Sequence, residues 1–219
     1  MSLIVDIDMR WRAWLERMLS MARIHFLVAP LLLGAASPDA TSTTVFGIEI
    51  GQPIQIPECP HARLSNGRVS EFSYDLNPAE TCRDPDIQLR DAPWRRGWIV
   101  FPSQRSPAIL SGNMLSYFVL DGIVVGLRAE TLDHNNTDEI MRELNGKFGP
   151  PASFQADTEV LQGIPVPART ALWRSDQLVV IYRNIDQDIR HGSLLVMTPR
   201  FEQFRVSRER EQLRARTPL

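Results

Sequence analysis

The 219-residue chain sets 24 Lys and Arg against 26 Asp and Glu, a net charge of −2, which excludes an electrostatic nucleic-acid binder as the default because such proteins carry a basic excess. A hydrophobic fraction of 43% with 8% aromatics is enough for a real core and excludes wholesale disorder. Two cysteines are too few for a disulfide-scaffold miniprotein or a four-thiolate zinc site, and no run reaches the ~18 apolar residues of a membrane-spanning helix.

The chain opens on a leader pattern. Arg10, Arg12, Arg17 and Arg23 precede the apolar run FLVAPLLLGAA, and Ser37-Pro38-Asp39 follows it. A basic lead, a short apolar segment and a small-residue exit describe a secretory signal peptide over residues 1–36, cleaved after Ala36 with Gly34 and Ala36 at the small-residue positions. Met21 would give a more compact start. The competing reading is a buried amphipathic helix, since Trp11, Trp14, Leu15 and Met18 share helical spacing. No cysteine directly follows the run, so a lipid anchor is not expected. Export to the periplasm or beyond places Cys59 and Cys82 in an oxidising compartment, where two cysteines pair with each other. Closing that loop constrains the unfolded chain by about 3 kcal/mol. The alternative is a catalytic thiol with His61 as its base.

Past the leader, residues 37–200 read as a single domain and residues 201–219 as a charged C-terminal helix or tail. Residues 44–50 form a strand ended by Gly51 and Pro53, and residues 57–95 an irregular, disulfide-closed section with turn chemistry at Asn66-Gly67 and Asn77-Pro78. A short strand covers 98–101. Residues 115–120, Asp121-Gly122 and residues 123–129 form the clearest local signal, a hairpin whose Asp-Gly supplies the two positive φ angles of a type I′ turn. A helix follows, with Asn136 as its cap, Glu139 in capping-box position and Ile140, Met141, Leu144 and Phe148 as its apolar stripe. Gly149-Pro150-Pro151 stops it. Strands at 169–174, 178–183 and 193–198 complete an α+β domain, a mostly antiparallel sheet with one packed helix and a C-terminal helix.

The segments TDEIMRELNGKFGPPASF and ALWRSDQLVVIYR resemble the helix-to-sheet unit of small periplasmic proteins of the SmpA/OmlA (BamE-like) and β-lactamase-inhibitor-like fold. Thr137, Ile140, Leu144, Phe148, Gly149, Pro151 and Trp173 carry the likeness, and FGIEIGQPI adds Phe46, Gly47, Gly51 and Pro53. That opening is also similar to those of uncharacterised secreted proteins of Gram-negative bacteria. The resemblance implies a helix end packed on a sheet by Phe148 and Trp173, in a protein that works by interaction. The chain departs from the lipoprotein members by lacking a lipid-bearing cysteine and by its long disulfide-closed section.

Catalytic patterns are sparse. His61, His134 and His191 have no metal-ligand spacing, and an EF-hand-like loop at Asp133-His134-Asn135-Asn136 would need glycine where Asp138 stands. No nucleophile elbow, P-loop or dinucleotide fingerprint occurs, so neither cofactor nor metal is expected. Asn135-Asn136-Thr137 is a formal glycosylation sequon. Trp94-Arg95-Arg96-Gly97-Trp98 interleaves aromatic and cationic side chains, a pattern that can stack sugars or grip an anionic glycan, headgroup or carboxylate. Its competing reading has the tryptophans inside and the arginines along the surface, with Trp98, opening an apolar strand, the more buried tryptophan. Arg200, Arg205, Arg208, Arg210, Arg214 and Arg216 face Glu202, Glu209 and Glu211 in a tail that is either a solvated helix packed only by its first turn or a binding arm. These features point to a periplasmic or secreted, non-enzymatic binding protein whose partner is an envelope protein or anionic glycan and not nucleic acid, with no transmembrane helix in the mature chain. The alternative is a cell-envelope hydrolase with a dispersed site.

Overall fold

The computed structural model describes residues 43–63, 66–89, 92–161, 163–186 and 190–216; the expected leader, residues 1–36, lies outside them. The described elements are β1 (Thr44–Val45), β2 (Ile48–Glu49), β3 (His61–Arg63), β4 (Val69–Tyr74), β5 (Cys82–Gln88), β6 (Arg95–Val100), β7 (Leu110–Leu120), β8 (Ile123–Thr131), α1 (Thr137–Phe148), β9 (Ser153–Leu161), β10 (Ile164–Arg174), β11 (Val179–Arg183), β12 (Gly192–Met197) and α2 (Pro199–Arg216). One eight-stranded sheet dominates, in the order β5-β6-β7-β8-β12-β11-β10-β9, and all its neighbours are antiparallel. It consists of two four-stranded meanders joined where β8 meets β12, each meander followed by a helix.

The hairpin at Asp121-Gly122 forms as its turn chemistry predicts, with φ of 53° and 80°. The expected strand at 44–50 is instead a tight hairpin, because Phe46 and Gly47 both take positive φ (54° and 78°) and reverse the chain between β1 and β2. Val45, Ile48 and Ile50 still reach the core. The section expected to be irregular contains the β3–β4 hairpin and the edge strand β5. Edge and surface strands bury neither face fully, so their sequences lack the alternation that marks a half-buried strand.

After β8 the chain must cross to the far edge to begin β9, and α1 makes that crossing against one face. Its Ile140 and Leu144 join Leu127, Ala129, Leu194, Val196, Val180 and Trp173 in the main core. Asn136 stands at the N-cap of α1 as expected, but its side chain makes no capping bond to the helix. Asp133 accepts from the Asn135 N–H and from the Asn136 side chain (2.7 Å) instead, capping a 3-10 turn, His134–Asn136, that feeds the helix. The Asn136 bond is the leading reason the Asp133 carboxyl is held below its usual range. At the other end Gly149 turns at φ 76°, and the Trp173 indole donates to its carbonyl (2.8 Å), with the Phe148 ring tilted at 50° to the same indole, centroids 6.3 Å apart.

α2 begins on the opposite face. Phe201 is buried, 5.7 Å from Phe118, and a Cβ on Gly126 would come within 3.4 Å of it. With a helix on each side, every residue of β11 and β12 is buried, which is why these strands read as continuous apolar runs.

The second meander starts earlier than expected, with β9 and a β10 that runs through Pro165 and Pro167. The prolines are tolerated because of the direction their backbone faces. The Pro167 carbonyl accepts from the Asn184 side chain (3.0 Å), and the Arg169 N–H donates to Asn184 Oδ1 (2.7 Å). Odd residues of β10 therefore address the β11 side, where β11 has already ended at Arg183 and no strand among the described residues requires the missing N–H groups.

The disulfide is present: Cys59 and Cys82, 23 positions apart in sequence, bond with Cα atoms 4.7 Å apart. Both are buried beside Val100, with Tyr74 and Met114 against them. No free cysteine exists among the described residues, which overturns the catalytic-thiol alternative.

Candidate functional site

Strand alternation divides the Trp94–Trp98 segment. Arg96, Trp98 and Val100 lie on one face of β6, and Gly97 and Ile99 on the other. Gly97 is required there: its Cβ would sit 2.5 Å from the Tyr117 ring, which crosses it from β7 to donate to the Asp84 carbonyl (3.2 Å). Arg95 turns to Asp86, 3.0 Å to the carboxylate and 2.9 Å to its carbonyl.

The two tryptophans exchange their expected roles. Trp94 is half-buried, edge-on to Phe201 (5.4 Å) and Phe204 (5.6 Å) of α2. Trp98 is 37% exposed. Opening an apolar strand predicted burial for Trp98, but one face of β6 is left open at this point, while a helix from the far end of the chain returns to cover Trp94. Packing of α2 also continues past its first turn, since Arg205, Val206 and Arg208 are half-buried.

The Arg96 guanidinium lies 5.4 Å from the Trp98 ring centroid, within cation–π range. Across the β5–β6 register, Ile87 faces Arg96 and Asp84 faces Trp98. Ile87 is 60% exposed, and burial pushes the Asp84 carboxyl up. The result is a strip of indole, guanidinium and aliphatic side chain flanked by a desolvated carboxyl.

Charge pairing distinguishes Arg96 from its neighbours. Arg83 bonds Glu58 (2.9 Å), Arg128 bonds Asp186 (2.8 Å), Arg174 bonds Glu202 (2.6 Å) and Arg183 bonds Glu159 (2.8 Å). Arg96 is half-buried, its Nε is fully enclosed without an acceptor, and no carboxylate lies in ion-pair range among the described residues. A cation half-withdrawn from water without a counter-charge forfeits solvation that an anionic group supplied from outside can restore.

The other expected chemistry does not gather into a site. His61 stacks on Tyr74 (5.1 Å), His134 sits in the turn before α1 and His191 precedes β12. Among the described residues no group of three or more His, Cys, Asp or Glu could hold a metal ion, and no helix is long and apolar enough to cross a membrane. Sequence reasoning missed Asp84 and Ile87, whose only signal was their place in a segment too polar to register as a strand. No protein-family model matches the chain, and neither the curated proteins nor the solved structures contain a significant match.

Proposed function

We propose that this is an exported, periplasmic or secreted, non-enzymatic binding protein that engages an anionic partner through the Arg96–Trp98 strip. The observation that carries the reading is the half-buried Arg96 guanidinium, lying over an accessible indole with no acid paired to it among the described residues. An envelope protein presenting a carboxylate, or a carboxylated glycan, would set a flat or apolar surface on Trp98 and Ile87 and an acidic group on Arg96. The Cys59–Cys82 bond supports export, because such bonds persist in oxidising compartments.

The test is retention of the disulfide-bonded protein on a matrix bearing a carboxylated polysaccharide, read against salt and against an uncharged matrix of the same sugar backbone. Retention should fall with salt, and Arg96→Ala and Trp98→Ala should each abolish most of it, while Arg95→Ala, which removes one of the two arginines paired with Asp86, should change it little. Wild-type protein that flows through, or is retained equally by Arg96→Ala, would remove the proposal. The compartment is tested separately, by the mass of the protein recovered from its native host: loss of residues 1–36 supports export.

A further inference from the structure

Independently of that strip, the chain carries the dipeptide Asn-Gly twice, at Asn66-Gly67 and at Asn145-Gly146, in two different backbone settings. Exposure does not separate the pairs, since all four residues are exposed. Backbone bonding does. Asn145 and Gly146 lie inside α1, where the Gly146 N–H belongs to the helix ladder and the Asn145 carbonyl accepts from the Gly149 N–H (2.9 Å). Asn66 and Gly67 lie in the turn between β3 and β4. There Gly67 takes a φ of 80°, and no described residue accepts from its main-chain N–H. The Asn66 side-chain oxygen accepts from the Arg68 N–H (3.0 Å). That bond folds the side chain back along the Gly67 peptide and draws electrons from the Asn66 Cγ. Glycine has no Cβ to shield its nitrogen from that carbon, and the space around Gly67 is open.

We infer that Asn66 is a site of spontaneous modification, converting to aspartate and isoaspartate through a cyclic imide formed with Gly67. The Gly67 nitrogen gives up its proton and bonds to the Asn66 Cγ. The Cγ–Nδ2 bond breaks, and the nitrogen leaves with that proton as ammonia. Water then opens the five-membered ring. Breaking the new bond from Gly67 to Cγ gives aspartate, and breaking the original peptide bond gives isoaspartate, with the main chain running through the side-chain carbon. No oxidant or reductant takes part. The other asparagines with described contacts lack one of these parts. Asn77 precedes Pro78, which has no N–H to lose. The Asn113 and Asn184 side chains are held by main-chain groups, and those of Asn135 and Asn136 by Asp133. Either product adds one negative charge beside Arg68, and isoaspartate also lengthens the β3–β4 turn by one carbon.

The experiment incubates the folded, disulfide-bonded protein in mildly alkaline buffer and follows it by peptide mapping, with isoaspartate detected by enzymatic methylation. Asn66 should be lost steadily to a mixture of aspartate and isoaspartate. Asn145 should react about a hundredfold more slowly, because the helix holds the Gly146 nitrogen away from the Asn145 Cγ. Unfolding in urea removes that difference, so the two sites should then react at similar rates. Gly67→Ala should slow the reaction at Asn66 about tenfold by crowding the attacking nitrogen. Because alanine is strained at φ 80°, its melting temperature is measured alongside, and the urea comparison stands without it. An Asn66 that stays intact while the unfolded chain reacts, an Asn145 that reacts as fast in the folded protein, or a product that is aspartate alone would each overturn the inference.

Discussion

The sheet's two edges are finished by opposite means. At β5 the chain leaves nothing for another strand to join. The Arg83 N–H donates to the Pro57 carbonyl and the Cys59 N–H to the Arg83 carbonyl, both 2.8 Å, while Pro85 lacks a donor and the ladder is irregular between Asp84 and Ile87. The disulfide holds the covering segment in place. At β9 no proline, bulge or disulfide occurs among the described residues: a regular nine-residue strand has its Thr158 N–H bonded to the Asp157 carboxylate (2.7 Å) and Phe154 and Val160 exposed beside it. Proteins commonly blunt their edges with prolines, bulges and charges. One edge is closed by main-chain bonds, a proline and a disulfide, the other only by acidic residues and a side-chain bond within the strand itself.

The comparison can be broken most severely from inside the second meander. Trp173→Ala removes a 3% exposed indole and its bond to Gly149, and should cost about 4 kcal/mol in urea-melting experiments. Because Trp173 ties α1 to β10, amide exchange should accelerate in β9 and β10 before it does in β5. Uniform acceleration would mean that the two meanders open as one unit.

Replacing Cys59 and Cys82 together by alanine should cost about 3 kcal/mol, with the amides of β5 losing protection first. If β9 amides loosened equally, the clamp would stabilise the whole sheet and not one edge.

Alkaline pH tests the sheet centre, which both edges share. Burial above all holds the Tyr182 phenol up to about 12, against an ordinary 10.0, with Thr137 beside it working in the opposite direction. The folded protein keeps that proton where an unfolded chain releases it, so the contribution is whole below pH 10 and is lost as pH rises from 10 toward 12. It should amount to on the order of 2–3 kcal/mol. The check is a late tyrosinate absorbance step, coincident with unfolding and missing in Tyr182→Phe.

Asn184→Ala should cost about 1–2 kcal/mol, because it strands the part-buried Arg169 N–H and Pro167 carbonyl. Its effect should be sharpest on the β9–β10 hairpin, which continues past the end of β11. The smallest effect is expected at the strip: Arg96→Ala should change stability by less than about 1 kcal/mol, since it breaks no ion pair, and a larger loss would make Arg96 a structural residue.

Of the candidate site, the sequence disclosed the residue types but not their surroundings. Trp94, Arg95, Arg96 and Trp98 were visible as a cluster. Strand alternation then turns Arg95 away from Arg96, and accessibility depends on Phe201 and Phe204, more than a hundred positions later. Asp84 and Ile87 had no signal because cross-strand neighbours leave none in a single strand's pattern.

What the sequence determined by itself is what neighbouring residues decide among themselves. The Asp121-Gly122 turn follows from two positive φ angles, α1 from the spacing of Ile140, Leu144 and Phe148, its end from Gly149, and the disulfide from there being no other cysteine to choose. Only the tertiary structure decided which strands form edges, which face of β6 stays open, and that β11 and β12 are buried on both sides. The physical reason is that burial is a property of pairs of surfaces. A side chain's solvation depends on whatever covers it, and here the covers arrive from α1, α2 and the disulfide-bonded segment, each far along the chain from the residues it covers.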